Sequence, residues 1–390
     1  MNPFNPGSGV PPPYLAGRET HIGTFKKTLA SISEGHIENV ILYGLRGTGK
    51  TVLVEEFNHM CVSNGFLPIK RLQFSRKYCE PVEYAKALKY DIKTLIETFS
   101  KIQWLKGKLE AAVTYIKPKS IGIPDIVYYE PSYKRSRNMP FEDYIKSYLS
   151  KNWRIFENAD HKVIFLFDEF HTVVDIPRDR KYVLSDFLGA LNDVQRDGCG
   201  YFIVLSGLPN LQLNVKKARS YSERMYKSIE VGNLKPTDAK FAITRPLKNT
   251  SWTFEDQLVD SLVTETAGYP YFIQFYCKEI INNVNSNNIT LADFERIRSL
   301  IIKQLDDDFF NPRIELLSEE ERKVLFAMAQ TGDENIEFRE IARLTKIKRY
   351  KLSKYLERLA EKGLAYNYKR GVYRFLIPLL GDFLRRQANK

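Results

Sequence analysis

The sequence has few cysteines and no long apolar stretches. Its four cysteines are scattered without CxxC spacing, which argues against a zinc site or a disulfide framework and favours buried thiols. No apolar run approaches the roughly 20 residues that span a bilayer. The N-terminus also lacks the basic and apolar regions of a signal peptide. These absences predict a cytoplasmic protein. The cysteines are Cys61, Cys79, Cys199 and Cys277.

Basic residues are concentrated near the end of the chain. The 390 residues include 59 Lys and Arg against 47 Asp and Glu, a net charge of +12. Residues 346–390 alone contain 13 basic residues and 3 acids, so most of the excess lies there. This distribution fits a polyanionic partner such as DNA, and a merely solvated surface is the alternative.

A Walker A pattern, GxxxxGK[ST], follows an apolar run at residues 40–43 and precedes a helical pattern. The glycines let backbone N–H groups turn inward around phosphates, and the start of the following helix adds partial positive charge. Lys50 is expected to reach the β- and γ-phosphates, and the Thr51 hydroxyl to hold Mg²⁺. The predicted nucleotide-binding loop consists of Gly44, Leu45, Arg46, Gly47, Thr48, Gly49, Lys50, Thr51 and Val52.

Two acids follow the apolar run at residues 163–167, as in a Walker B motif. Such a run predicts a strand buried on both faces, and ligands bind at the carboxyl ends of parallel strands. Asp168 is therefore predicted to hold the Mg²⁺ shell, and Glu169 to polarise the water that attacks the γ-phosphate. Ser206, after a second buried run, is predicted to sense that water or the γ-phosphate; an ordinary turn residue is the alternative.

Other candidates rest on weaker signals. Gly17 and Arg18 lie where a segment covering the adenine is expected, although a capping turn is an equal alternative. Pro270 in a Gly-x-Pro turn could rest on the adenine or simply begin a helix. Arg224 is interpreted as a finger for a neighbouring subunit's γ-phosphate, or as a surface cation. Residues 117–139, rich in Pro, Tyr and basic residues, are predicted to be an inserted surface loop whose role stays open.

The pattern divides the chain into three predicted domains. Residues 1–234 form a P-loop ATPase core with an N-terminal arm that lacks regular structure, and residues 235–312 form a helical lid. Residues 313–390 are predicted to form a winged helix-turn-helix, with three helices followed by a strand pair. In its third helix three leucines at positions 352, 356 and 359 share the core face. The predicted DNA contacts are Arg349, Tyr350, Lys351, Lys354, Arg358, Lys369 and Arg370.

The chain resembles the prokaryotic AAA+ ATPases with a C-terminal winged helix, of the origin-initiator and STAND-like branches. The resemblance implies an α/β core with a parallel sheet in the order 5-1-4-3-2, a helical lid, and ATP with Mg²⁺. It also implies slow hydrolysis of ATP to ADP and phosphate, with catalytic roles for Lys50, Asp168, Glu169, Ser206 and Arg224. It rests on Gly17-Arg18-Glu19, the Gly44–Thr51 pattern, Asp168-Glu169, Ser206-Gly207-Leu208-Pro209-Asn210, Ser220-Tyr221-Ser222-Glu223-Arg224, Gly268-Tyr269-Pro270-Tyr271, Phe375-Leu376-Ile377-Pro378 and Phe383-Leu384-Arg385-Arg386.

One departure concerns the lid. Origin initiators usually carry an arginine at the start of a lid helix that reads the γ-phosphate, whereas this chain has Gly268-Tyr269-Pro270 and no arginine before Arg296. A replication-origin role is therefore not implied.

Three functions remain open. The leading hypothesis is an ATP-hydrolysing switch whose winged helix binds double-stranded DNA. The second is a signalling or assembly ATPase whose winged helix docks on a protein, and the third is a transcription regulator that merely holds nucleotide. Self-association is compatible with each.

Overall fold

A computed structural model describes residues 2–7, 9–113, 139–157, 161–220 and 222–388. The loop predicted at residues 117–139 lies outside these ranges, except for Met139. The chain forms two compact units. We call Met1–Thr20, Gly44–Val52 and Glu230–Lys390 the loop unit, and His21–Tyr43 and Leu53–Ile229 the sheet unit.

Five strands form the central sheet of an α/β fold, in the order β2-β3-β4-β1-β5. This confirms the order predicted from the resemblance. The pairs β2–β3, β3–β4 and β4–β1 are parallel, and every residue of β3 and β4 is buried, so both faces of these strands are covered. The strands are β1 (Asn39–Tyr43), β2 (Leu67–Arg71), β3 (Val163–Phe167), β4 (Tyr201–Gly207) and β5 (Tyr226–Glu230).

Helices connect these strands, and one of them was not predicted. Helix α4 buries Phe141, Tyr144, Tyr148 and Phe156, whose spacing of three, four or eight residues places them on one face. The helices up to β5 are α1 (Glu19–Ser33), α2 (Lys50–Ser63), α3 (Pro81–Val113), α4 (Phe141–Glu157), α5 (Val183–Arg196), α6 (Asn210–Ala218) and α7 (Ser222–Met225).

The loop unit has one hydrophobic core, which runs through its helices and continues into the C-terminal segment, residues 319–388. The Phe310 and Phe383 rings stack within it, with centroids 4.8 Å apart. A π-helical turn, Asp306–Phe310, joins the helix Leu291–Leu305 to the helix Asn311–Glu315. The elements up to that point are α8 (Pro236–Leu247), β6 (Thr253–Phe254), α9 (Asp256–Thr266), α10 (Pro270–Asn283), β7 (Asn288–Ile289), α11 (Leu291–Leu305) and α12 (Asn311–Glu315).

The C-terminal segment contains the predicted helices and strand pair. It also contains two elements that were not predicted, the strand β8 (Ile336–Glu337) and the helix α16 (Leu380–Ala388). Ser318 and Glu321 form a capping box that starts α13. The two-residue strand β8 pairs antiparallel with β10 and widens the hairpin to a three-stranded sheet. The elements are α13 (Glu319–Gln330), β8 (Ile336–Glu337), α14 (Phe338–Thr345), α15 (Arg349–Glu361), β9 (Ala365–Lys369), β10 (Val372–Phe375) and α16 (Leu380–Ala388).

The N-terminal arm lacks helices and strands over its described residues, as predicted, yet it is tied to α10. The Asn2 side-chain amide donates to the Lys278 carbonyl at 3.0 Å, the Asn5 backbone N–H donates to Gln274 Oε1 at 3.3 Å, and Phe4 is buried. All four cysteines are free and buried, which confirms that prediction. Among the described residues no helix combines the length and the apolarity needed to cross a membrane.

Candidate nucleotide-binding site

The conformation of the phosphate loop, Gly44–Val52, requires its glycines. Gly47 and Gly49 have φ of +74° and +92°, in the left-handed region that side chains disfavour. At Gly44 the constraint is close approach, because a Cβ there would lie 2.1 Å from the Val231 carbonyl oxygen. The spacing of glycines in the sequence therefore corresponds to three positions where a larger residue would distort the loop.

Lys50 points back into the curve of this loop. Its ammonium donates to the Leu45 carbonyl at 2.6 Å, and the Thr48 hydroxyl donates to the same oxygen at 2.9 Å. The Lys50 side chain is buried although it is charged. Helix α2 begins at Lys50, so the first N–H groups of a helix and a lysine ammonium lie together at the loop. This combination can bind an anion such as a phosphate group.

Arg18 supports the loop from outside. Its Nη2 donates to the carbonyls of Thr48 and Gly232, each at 2.8 Å, and only 4% of the residue is exposed. Burial lowers the pKa of the Arg18 guanidinium, although the charges of Asp238 and Glu19 act to raise it. Its neighbour Gly17 has φ of +63°, and a Cβ there would lie 2.8 Å from the Asp238 carboxylate. Arg18 thus joins the loop to the segment after β5.

Tyr269 contacts the loop from the turn before α10, a contact that the sequence did not reveal. Its hydroxyl donates to the Arg46 carbonyl, and a Cβ at Gly47 would lie 2.4 Å from that hydroxyl oxygen. Burial raises the pKa of Tyr269 well above its usual range. Pro270 is the first residue of α10, where a missing N–H has no cost.

In the sheet unit, Asp168 and Ser206 lie at the carboxyl ends of the neighbouring strands β3 and β4, and they are hydrogen-bonded to each other. The Ser206 hydroxyl donates to Asp168 Oδ1 at 2.6 Å, and both residues are almost fully buried. The Glu169 backbone N–H donates to the same carboxylate oxygen at 2.9 Å. These bonds orient the carboxylate. The structure thus gives Ser206 a partner that the sequence did not predict.

Glu169 adopts a backbone conformation that is unusual for its side chain. Its φ of +54° and ψ of +24° lie in the left-handed region, where a non-glycine residue is strained. The carboxylate is partly exposed, and its Oε2 lies 3.8 Å from Nε2 of the buried His171. Such strain concentrates at functional sites, because the surrounding structure must enforce it.

Two protein-family models match parts of this chain. Residues 14–173 match the AAA ATPase domain. The match includes Arg18, the phosphate loop and the Asp168-Glu169 pair. Residues 307–384 match a second family, described as a domain of unknown function. No curated protein matches this sequence.

Two solved structures share the fold of this chain. The Walker-type ATPase PABY2304 of Pyrococcus abyssi superposes with a TM-score of 0.59 at 18% identity, covering 95% of this chain and 96% of that one. The ADP form of the ORC2 protein of Aeropyrum pernix gives a TM-score of 0.50 at 14% identity, covering 99% and 98%. The resemblance predicted from the motifs is therefore confirmed at the level of fold.

Arg224 lies beyond the matched AAA ATPase segment. It belongs to the short helix α7, immediately before β5, and it is exposed. In the part of the chain that the structure describes, Arg224 makes no ion pair. Its exposure is compatible with both interpretations of the sequence, a finger for a neighbouring subunit's γ-phosphate and a simple surface cation.

The basic face of α15 separates cleanly from its apolar face. Leu352, Leu356 and Leu359 are buried, which confirms that they belong to the core. All seven predicted DNA-contacting residues are exposed, and Tyr350 is exposed over 60% of its surface. The seven are Arg349, Tyr350, Lys351, Lys354, Arg358, Lys369 and Arg370.

Proposed function

We propose that this protein is an AAA+ switch that binds and hydrolyses ATP. The observation that carries the proposal is the phosphate loop itself, with two left-handed glycines and the Lys50 ammonium buried in its curve. An N–H-rich loop with one lysine suits the β- and γ-phosphates of a nucleoside triphosphate. In this proposal Gly17, Arg18 and Pro270 belong to the part of the site that holds the nucleoside. Arg18 contributes by supporting the loop.

The donor groups fit magnesium. Mg²⁺ prefers carboxylate, hydroxyl and water oxygens, and it binds nucleotide sites through one or two protein groups. Thr51 supplies a hydroxyl, and Asp168 supplies a buried carboxylate that Ser206 orients. Mg²⁺ would neutralise charge on the β- and γ-phosphates when bound. Asp168 and Thr51 are the residues that would hold it.

Glu169 is the proposed base for hydrolysis. Its partly exposed carboxylate can accept a proton from water, and its strained backbone fixes the direction of the side chain. Ser206 acts here by holding Asp168 rather than by free contact with the γ-phosphate. Arg224, exposed before β5, is proposed to act on a neighbouring subunit's γ-phosphate.

The domain boundaries are proposed as 1–234 for the ATPase core, 235–312 for the lid and 313–390 for a winged helix-turn-helix. The three helices, the antiparallel strands and the exposed cations of the C-terminal segment support double-stranded DNA as partner. One observation favours the second candidate, a protein-docking or self-packing role. The C-terminal segment shares a core with the lid helices, where Phe310 stacks on Phe383.

Glu169→Gln tests the catalytic proposal. The variant should bind Mg²⁺–ATP like the wild type, while hydrolysis falls by about a hundredfold or more, since general-base catalysis contributes on that order. Hydrolysis at the wild-type rate would remove Glu169 from the mechanism. Lys50→Ala is the companion variant, and it should lose binding itself.

DNA binding is tested by its dependence on salt. The affinity for a duplex should fall steeply as salt rises. Replacing Lys351 and Lys354 together by Gln should reduce the slope of log affinity against log salt by about 0.9 for each phosphate that the protein no longer neutralises. A salt-independent affinity, or no binding, would favour the protein-docking function. Asp333→Asn, at an exposed acid in the same segment, serves as the control.

A further inference from the structure

The strand pair β9–β10 of the C-terminal segment is rich in tyrosines and basic residues. The hairpin that these strands form, residues 365–375, contains three tyrosines, three cations and no acid. The proposed duplex contacts include two of the cations but none of the tyrosines. The six residues are Tyr366, Tyr368, Tyr373, Lys369, Arg370 and Arg374.

Strand pairing places two of the tyrosines and Arg374 on one face of the hairpin. Arg374 lies opposite Tyr366 in the antiparallel pair, so their side chains share a face. Tyr368 follows Tyr366 by two residues and therefore lies on that face as well. The other face packs on the core, because Ala365 is buried there and its cross-strand partner Phe375 is partly buried against the same core. We call Tyr366, Tyr368 and Arg374 the tyrosine face.

Arg374 holds the Tyr368 ring in place. Its guanidinium carbon lies 3.6 Å from the centroid of that ring. The guanidinium is itself fixed, because its Nε donates to Asn335 Oδ1 at 2.8 Å and its Nη1 lies 3.0 Å from Glu334 Oε1. The Tyr366 ring stands edge-on to Tyr368, with an angle of 89° between the ring planes. The ring is thus oriented before any ligand binds, which lowers the entropic cost of binding.

The Tyr368 ring stays accessible although Arg374 covers one side of it. Tyr368 is 48% exposed. Lys369 and Arg370, the next two residues of the chain, are exposed as well. Within the residues that the structure describes, neither of these two cations forms an ion pair. An accessible aromatic ring therefore stands beside two cations that can contact phosphates.

This combination suits unpaired bases better than a duplex. A duplex presents only the edges of its bases in the grooves, because their faces are covered by neighbouring base pairs. Unpaired bases have open faces, on which aromatic side chains stack while basic residues contact the phosphates. The positive charge beside the ring complements a polyanion and does not favour an uncharged or basic partner.

We propose that the tyrosine face binds unpaired bases of DNA, with one base stacked on Tyr368 and the adjoining phosphates held by Lys369 and Arg370. This inference rests on the proposed binding of DNA by the C-terminal segment. It adds a preference for DNA that has a single-stranded part next to a duplex. Tyr366 and Arg374 are positioning residues, because they orient the Tyr368 ring.

Fluorescence anisotropy with three labelled DNAs tests the inference. One is a blunt duplex, the second is the same duplex with a single-stranded thymidine tail, and the third has an abasic tail of equal length, which carries the same phosphates without bases. At constant salt the wild type should bind the thymidine tail about tenfold more tightly than the abasic tail, since a stacked base contributes on that order. Tyr368→Leu should lose this preference, and Tyr368→Phe should keep it.

Two control variants separate stacking from other effects. Tyr182→Leu replaces a tyrosine of similar exposure, 44%, in the sheet unit, and it should leave the preference unchanged. Lys369→Gln removes a phosphate contact, so it should weaken binding to the two tailed duplexes by equal factors and leave the preference for bases intact.

Equal affinities of the wild type for the two tails would overturn the inference, as would a preference that survives in Tyr368→Leu. If Tyr368→Leu fails to fold by circular dichroism, ultraviolet crosslinking of the wild type to the thymidine tail decides. A crosslink within residues 365–375 supports the inference, and crosslinks only elsewhere contradict it. A wild type that binds none of the three DNAs would refute the proposed DNA binding itself. Binding of the thymidine tail without binding of the blunt duplex would refute only the duplex as partner and would support the inference.

Discussion

The contact of Arg18 with the phosphate loop gives a prediction that can be worked from the structure. Arg18→Met keeps most of the buried alkyl chain and removes the guanidinium. The carbonyls of Thr48 and Gly232 then lose donors at 2.8 Å in an environment where Arg18 is only 4% exposed. Each unsatisfied buried carbonyl costs about 1–3 kcal/mol, and removal of a desolvated charge returns part of that cost.

We therefore expect the free energy of unfolding to fall by about 2–4 kcal/mol, measured by urea titration with circular dichroism. Arg322→Met is the matched control, because its guanidinium also donates to two carbonyls, of Ile314 and Glu315, but at 3.1 Å and with more exposure. The free energy of unfolding of the Arg322→Met control should fall by about 1 kcal/mol or less. The reasoning is refuted if Arg18→Met costs less than about 0.5 kcal/mol and binds nucleotide like the wild type.

Other predictions concern single interactions. Ser206→Ala should lower the free energy of unfolding by about 1.5–3 kcal/mol at neutral pH, because the buried Asp168 carboxylate loses a donor; urea titration checks this. Burial raises the pKa of Asp186 to about 6, so the folded state binds its proton more tightly than the unfolded state and stability falls as pH rises towards that value. Asp186→Asn should accordingly gain up to about 3 kcal/mol near pH 8 and nothing near pH 4, and an equal gain at both would contradict the assignment. Tyr269→Phe should weaken nucleotide binding severalfold, because the Arg46 carbonyl loses its donor. A dissociation constant that calorimetry finds unchanged would exclude a role for Tyr269 in nucleotide binding.

Local patterns predicted the fold well. The apolar runs that form β1, β3 and β4 are buried on both faces. The glycines of the loop stand where the backbone adopts conformations that favour glycine, so their spacing in the sequence predicts the loop. Helix α4 is a different case. Its aromatic residues recur at helical spacing, so the signal was present, yet it followed the Pro-rich stretch before residue 139 and was not recognised.

Long-range contacts could not be predicted. Arg18 lies 30 residues from Thr48 and 214 from Gly232, and the Tyr269 hydroxyl lies 223 residues from the carbonyl that it binds. No periodicity in a sequence specifies such pairs, because they arise when separate elements pack. The hydrogen bond between Ser206 and Asp168 illustrates the same limit. Both residues were identified, but their direct interaction depends on the order of the strands.

The central claim is that the phosphate loop binds ATP through Lys50. Calorimetric titration of the purified protein with Mg²⁺–ATP, repeated with Lys50→Ala, tests it most directly. The account predicts saturable heat for the wild type and an affinity at least about a hundredfold weaker for the variant, because the variant lacks the buried ammonium that is proposed to contact the β- and γ-phosphates. No heat from the wild type, or equal affinities for the two proteins, would contradict it.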